Sequence, residues 1–132
     1  MRKIAVFLIF PHILSLYSLY IYSNFFEMRI YFIYVTFGSL KEARSVGSKL
    51  VKNKLAACTN IIPTIYSTFV WKKETKVEKE CSMIVKTSKS KVKLAIKFIL
   101  KTHSYSCPAV TAFPIEHSHP EFKKWIKEQT ES

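Results

Sequence analysis

The chain has 132 residues, 48% of them hydrophobic and only two of them glycine, which excludes a disordered tail and bounds the molecule to one packed domain with a short leader. A net charge of +12 comes from 21 Lys and Arg against nine acids, all of them Glu; the lysines are scattered over helix faces and loops, so no nucleic-acid partner is expected. Three cysteines without a C-x-x-C pair exclude an even disulfide framework and suit reduced thiols in a reducing compartment.

Residues 1–27 read as a leader. Arg2 and Lys3 form a basic start, residues 4–22 are almost wholly apolar or aromatic, and small residues follow near Ser23. That order predicts a signal peptide or a signal anchor, entering the secretory route or reaching an organelle through it. The length is close to the roughly 20 residues that span a bilayer, so contact with a membrane is expected through this segment alone, if it stays uncleaved. Met28 is an alternative start, which would leave the protein cytoplasmic. The folded domain is assigned to residues 28–132.

Ile30 to Phe37 is β-branched and aromatic on both faces and predicts a central buried strand, ended by Gly38. Ser39-Leu40-Lys41-Glu42 is a capping box opening a helix to about Asn53, with Ala43, Val46, Gly47, Leu50 and Val51 on its apolar face. A second strand starts at Leu55, bends at Pro63 and ends at Trp71. Lys72 to Lys76 is polar and predicts the turn of a hairpin that returns from Val77 to Thr87. This hairpin is too long for the domain's own helices to cover. It would leave Tyr66, Phe69 and Trp71 in water, and that problem by itself predicts oligomerisation.

Ser88 or Ser90 is expected to cap a helix with Val92, Ala95, Ile96, Ile99 and Leu100 as its buried stripe, ending before His103. A fourth strand, Ala109 to Ile115, follows, and Pro120 opens a last helix bearing Phe122, Trp125 and Ile126. The order is strand-helix-strand-strand-helix-strand plus a terminal helix. It defines an α+β, ferredoxin-like split βαβ (βαββαβ with a C-terminal helix), with helices on one face of an antiparallel sheet and a long hairpin between the second and third strands.

Leu55-Ala56-Ala57-Cys58-Thr59-Asn60-Ile61-Ile62-Pro63 follows the first helix, and Met83-Ile84-Val85-Lys86-Thr87, His103, Tyr105, Pro108, Pro114-Ile115 and Trp125 come later. On these residues the stretch from about 30 to 128 resembles the CutA divalent-cation-tolerance family. The resemblance implies a tight homotrimer in which strand edges pair between subunits, and a link to divalent metals, copper above all. It departs from the family where His-Pro-Tyr-Glu-x-Pro-Glu is usual. Here the chain reads His103-Ser104-Tyr105-Ser106-Cys107-Pro108-Ala109, so both glutamates are gone and Cys107 stands as a candidate replacement donor.

Cys58 and His103 offer a thiolate and an imidazole suited to copper or zinc, and Glu80 adds an oxygen donor. Cys58 and His103 each have a competing structural reading: a buried cysteine packs as a small hydrophobe, and His103 can satisfy carbonyls at a helix C-terminus. His117 and His119 put two imidazoles one residue apart, a second candidate for metal; without a third ligand the pair reads first as a polar loop. Tyr105, Trp71 and Lys86 are expected to line an intersubunit cleft. No Asp is available to orient a histidine, and no nucleophile-base-acid set or paired carboxylates emerge, so no enzyme is expected. The expected function is divalent-ion tolerance, with copper or another divalent cation and no organic cofactor. The alternative is a trimeric signalling or scaffold protein that takes a small anionic metabolite on Lys86.

Overall fold

The computed structural model describes residues 13–22 and 29–132. Residues 13–22 are helical (α1). The folded domain then runs β1 (Ile30–Phe37), α2 (Leu40–Lys52), β2 (Cys58–Trp71), β3 (Glu74–Ser88), α3 (Val92–Thr102), β4 (Val110–Ile115) and α4 (Pro120–Glu131). The expected leader, 1–27, falls largely outside the described residues, including its small-residue region near Ser23. Among the described residues no helix is long and apolar enough to cross a membrane.

The four strands form one antiparallel sheet in the order β2-β3-β1-β4, which is the ferredoxin-like arrangement. β1 is central because its side chains are apolar on both faces. Ile33, Val35 and Phe37 face α2 and α3, where they pack with Ala43, Val46 and Leu50 of the first and Val92, Ala95 and Ile99 of the second. Ile30 faces the other way, with Phe32 partly buried beside it, and both meet Ile126 and Phe122 of α4. The terminal helix therefore covers one end of the face opposite to the other two, where the sequence predicts all helices on one face. The rest of that face is open: Tyr34, Ile62 and Phe113 are 36%, 45% and 50% exposed.

Ser39 caps α2 as expected, its hydroxyl accepting the Glu42 amide N–H at 3.2 Å. Gly47 lets this helix press onto the sheet. A Cβ there would stand 2.9 Å from Thr59 Oγ1 and 3.0 Å from Met83 Sδ. Ala56 and Ala57 are buried at the return from α2 to β2, held by the Thr87 hydroxyl donating to the Leu55 carbonyl (2.7 Å) and the Ala57 amide donating to the Lys86 carbonyl (2.9 Å). The expected caps of α3 take another role. Ser88 and Ser90 bond each other, Thr130 Oγ1 donates to Ser88 Oγ and Ser90 Oγ donates to Glu131, so they tie α4 to the sheet while α3 starts without a side-chain cap.

The second strand starts later than its pattern suggests, at Cys58 instead of Leu55, and the third starts earlier, at Glu74 instead of Val77. The turn between them is two residues, Lys72 and Lys73, both at positive φ (50° and 68°), the backbone of a tight type I′ turn whose twist matches the strands. The register shifts between Ile62 and Ile65, around Pro63. β1 pairs with β3 only from Ser88 to Cys81, so beyond Glu80 the two strands run on as an unsupported arm. Tyr66, Val70 and Val77 are 74%, 68% and 66% exposed there.

Candidate functional site: an acidic cleft at the base of the arm

Where the arm leaves the sheet, the loop after α3 folds back against it. His103 places that loop. Its ring stacks on Phe37 with centroids 4.7 Å apart and planes 12° apart. Nε2 lies 2.7 Å from the Thr36 carbonyl and so carries the proton, while Nδ1 accepts the Tyr105 amide N–H at 3.0 Å. Glu42 completes the anchorage. Its carboxylate accepts from the Ser104 amide (2.7 Å) and hydroxyl (2.9 Å), instead of reaching back to the Ser39 amide as the capping box predicts. The Tyr105 phenol then lies over Gly38, where a Cβ would meet it at 2.8 Å, and donates to Glu80 Oε1 at 2.9 Å.

The result is a cleft of about 760 Å³ with Phe69, Trp71 and Tyr105 as aromatic walls, Glu78 and Glu80 on β3, Lys76 farther out, and Cys107 at the loop side. Two carboxylates against one ammonium make this an acidic pocket on a chain whose net charge is +12. The phenol reports that field. Loss of solvation, the bond to Glu80 and the charges of Glu80, Glu42 and Glu78 push Tyr105 up to about 12. Because the folded value lies above the unfolded one near 10, this stabilisation is fully present below pH 10 and is lost as pH rises from about 10 to 12. In an alkaline absorbance titration, the transition assigned to Tyr105 by difference from Tyr105→Phe is expected near pH 12, and in Glu80→Gln it moves back toward 10. An unchanged midpoint in Glu80→Gln would show that Glu80 does not act on this phenol.

The structure does not assemble Cys58, His103 and Glu80. Cys58 lies opposite Lys86, six positions along β3 from Glu80, which is about 20 Å at ~3.4 Å per residue. Burial also pushes the Cys58 thiol up against the pull of Lys86, which disfavours the thiolate that binds metal. His103 has a fully buried side chain with both ring nitrogens bonded, so no lone pair is left for a cation. Among the described residues no three His, Cys or Glu side chains come together. A closed three-ligand site for a divalent ion therefore does not fit one chain. An open site of carboxylate oxygens, Glu78 with Glu80, does fit the cleft's chemistry.

Tyr105 and Trp71 share the cleft wall, but Lys86 does not. Its ammonium lies between the rings of Phe32 (5.6 Å) and Phe122 (5.4 Å), under α4. A smaller basin of about 480 Å³ between the loop that joins β3 to α3 and the terminal helix α4 is lined by Lys89, Ser90, Lys91, Lys127 and Glu131 and contains none of the expected site residues. Glu42 and Phe69, which the sequence places in a capping box and on the exposed arm, and Glu78 are not among the expected site residues. Glu78 had a usable signal, since it lies two positions from Glu80 on a strand and must share its face. Glu42 had none, because its partner Ser104 is 62 residues away.

Fold and cleft define a ferredoxin-like α+β subunit with an overlong edge hairpin and an acidic, aromatic-walled pocket at its base. Residues 31–129 match the family model described as CutA1 divalent ion tolerance protein, and the chain belongs to that family. The divalent-cation tolerance protein CutA of Archaeoglobus fulgidus is 42% identical over 100 residues, which are 76% of this chain and 97% of that one. Protein CutA of Mus musculus is 34% identical over 99 residues, 75% of this chain and 56% of the mouse protein, so the chain matches little more than half of that relative. The solved structure of the periplasmic divalent cation tolerance protein CutA from Archaeoglobus fulgidus matches with a TM-score of 0.75 at 40% identity, covering 77% of this chain and 99% of that one.

Proposed function

We propose that this chain acts in divalent-cation tolerance as a homotrimer without catalytic activity, and that it takes copper or another divalent cation at the cleft between arm and loop. The observation that carries the reading is the local reversal of charge: Glu78 and Glu80 face a pocket in a chain of net +12. Such a pocket attracts cations and repels the small anions of the alternative reading, whose lysine, Lys86, is sandwiched elsewhere. Cys107 is exposed and supplies a soft donor at the rim. His103 has no free nitrogen to move a proton, in keeping with a binding role.

Assembly is the second part of the reading. The arm's exposed Tyr66, Val70, Trp71 and Val77 need a partner's surface, and its unpaired edges need a partner's strand. Three copies is the number that the family resemblance implies. The test is copper and zinc titration by calorimetry on protein shown by sedimentation to be trimeric. Glu78→Gln with Glu80→Gln is expected to weaken binding by about tenfold or more, and Cys58→Ser to leave it within about twofold. Loss in Cys58→Ser with no change in the cleft variant would refute the location, and a stable single subunit at every concentration would refute the assembly.

A further inference from the structure

Seven of the chain's 21 lysines and arginines, scattered in sequence, gather on one side of the fold. On α3, Lys93, Lys97 and Lys101 are exposed and recur every four residues, and the helix contains no acid. Their spacing aligns them along the middle of its outer face. On the neighbouring α2, Lys41, Arg44, Lys49 and Lys52 are exposed, and its single acid, Glu42, is engaged by Ser104. Seven cations thus share a layer with no free carboxylate between them. Like charges four apart on a helix destabilise it by a few tenths of a kcal/mol per pair, so the row gains nothing from its own fold.

The row is flanked by apolar side chains. Leu94 and Leu100 are 50% and 51% exposed beside the lysines, and Val51 of α2 is 40% exposed. α2 and α3 cover the side of the sheet opposite to the one that Glu80 faces, so this layer remains outside in an assembly built through the arm and cleft. The same chain carries α1, in which eight large apolar or aromatic side chains are each more than half exposed. A helix apolar on all sides is unsuited to water.

We propose that the α2–α3 face is a docking surface for an anionic lipid bilayer, its lysines meeting headgroups and Leu94 and Leu100 entering the interface. Charge complementarity selects an anionic partner; lysines suit phosphates of either kind, but exposed leucines between them find an apolar medium only at a lipid interface, which selects lipid over nucleic acid. α1 supplies the second signal that stable membrane attachment needs. This inference is independent of the cation-binding reading.

The test is sedimentation of the full chain with vesicles of phosphatidylcholine alone or with added phosphatidylserine. Wild-type protein is expected to prefer the anionic vesicles. Lys93→Gln/Lys97→Gln/Lys101→Gln lowers that binding by about a hundredfold, from about fivefold per lysine. Lys72→Gln/Lys73→Gln/Lys76→Gln, which removes the same charge from the arm, leaves it within about threefold. Leu94→Gln/Leu100→Gln lowers vesicle binding and leaves heparin binding unchanged. Equal losses in both lysine triples would reduce the effect to net charge and overturn the proposal. So would indifference to phosphatidylserine, or binding to duplex DNA or RNA that survives in the leucine variant and exceeds vesicle binding.

Discussion

Phe37→Ala is expected to destabilise the protein by about 3–5 kcal/mol, the range for a buried aromatic cut to a methyl. Phe37 is 0% exposed at the end of β1, where it belongs to the cluster shared by α2 and α3. Its ring is also the platform on which His103 stacks, and its carbonyl accepts from Cys81 Sγ at 3.6 Å. The substitution therefore opens the core and loosens the loop that carries Tyr105. Against a usual total of about 5–15 kcal/mol the loss is large. Urea denaturation at one fixed protein concentration measures it, since assembly makes apparent stability depend on concentration. Phe37→Leu, which keeps most of the volume, should cost less than about 1.5 kcal/mol. A cost below about 1 kcal/mol for alanine would mean that the platform does not exist.

His103→Leu should cost about 2–3 kcal/mol for a different reason. Leucine fills the site but leaves the Thr36 carbonyl without its donor, and an unpaired buried polar group costs about 1–3 kcal/mol. The Tyr105 amide loses its acceptor too, and the stacking on Phe37 disappears. His103→Gln keeps an amide N–H able to reach Thr36 and should recover at least half of the loss. Cation affinity of the Gln variant should stay within about twofold of wild type. A metal-ligating histidine behaves in the opposite way, with affinity falling while stability holds, so denaturation and titration together separate the two roles.

The contrast between Ser39 and Glu42 shows how much of the site was legible. Ser39 caps the helix it was expected to cap, because an N-cap is settled within three residues. Glu42 belongs to the same motif, yet its carboxylate serves Ser104, and only the fold brings that residue near. Cys58, Glu80 and His103 failed to meet for the same reason. Each sits in the element expected for it, but the pairing of β2 with β3 sets Cys58 against Lys86 and far from Glu80. Tyr105 and Trp71 do share a wall, because the arm and the loop after α3 converge there.

By itself the sequence determined the element order, the overlong hairpin with its exposed aromatics, and the family. These follow from the spacing of apolar residues and from short motifs, which act within a turn or a strand and need no distant partner. Only the tertiary structure decided that His103 is a buried strut, that Lys86 lies under α4, that two glutamates face a common cleft and that seven cations form one layer. The physical reason is that apolar burial is non-directional and tolerates many neighbours, whereas a hydrogen bond or a charge pair depends on strand register and helix placement to within an ångström or so.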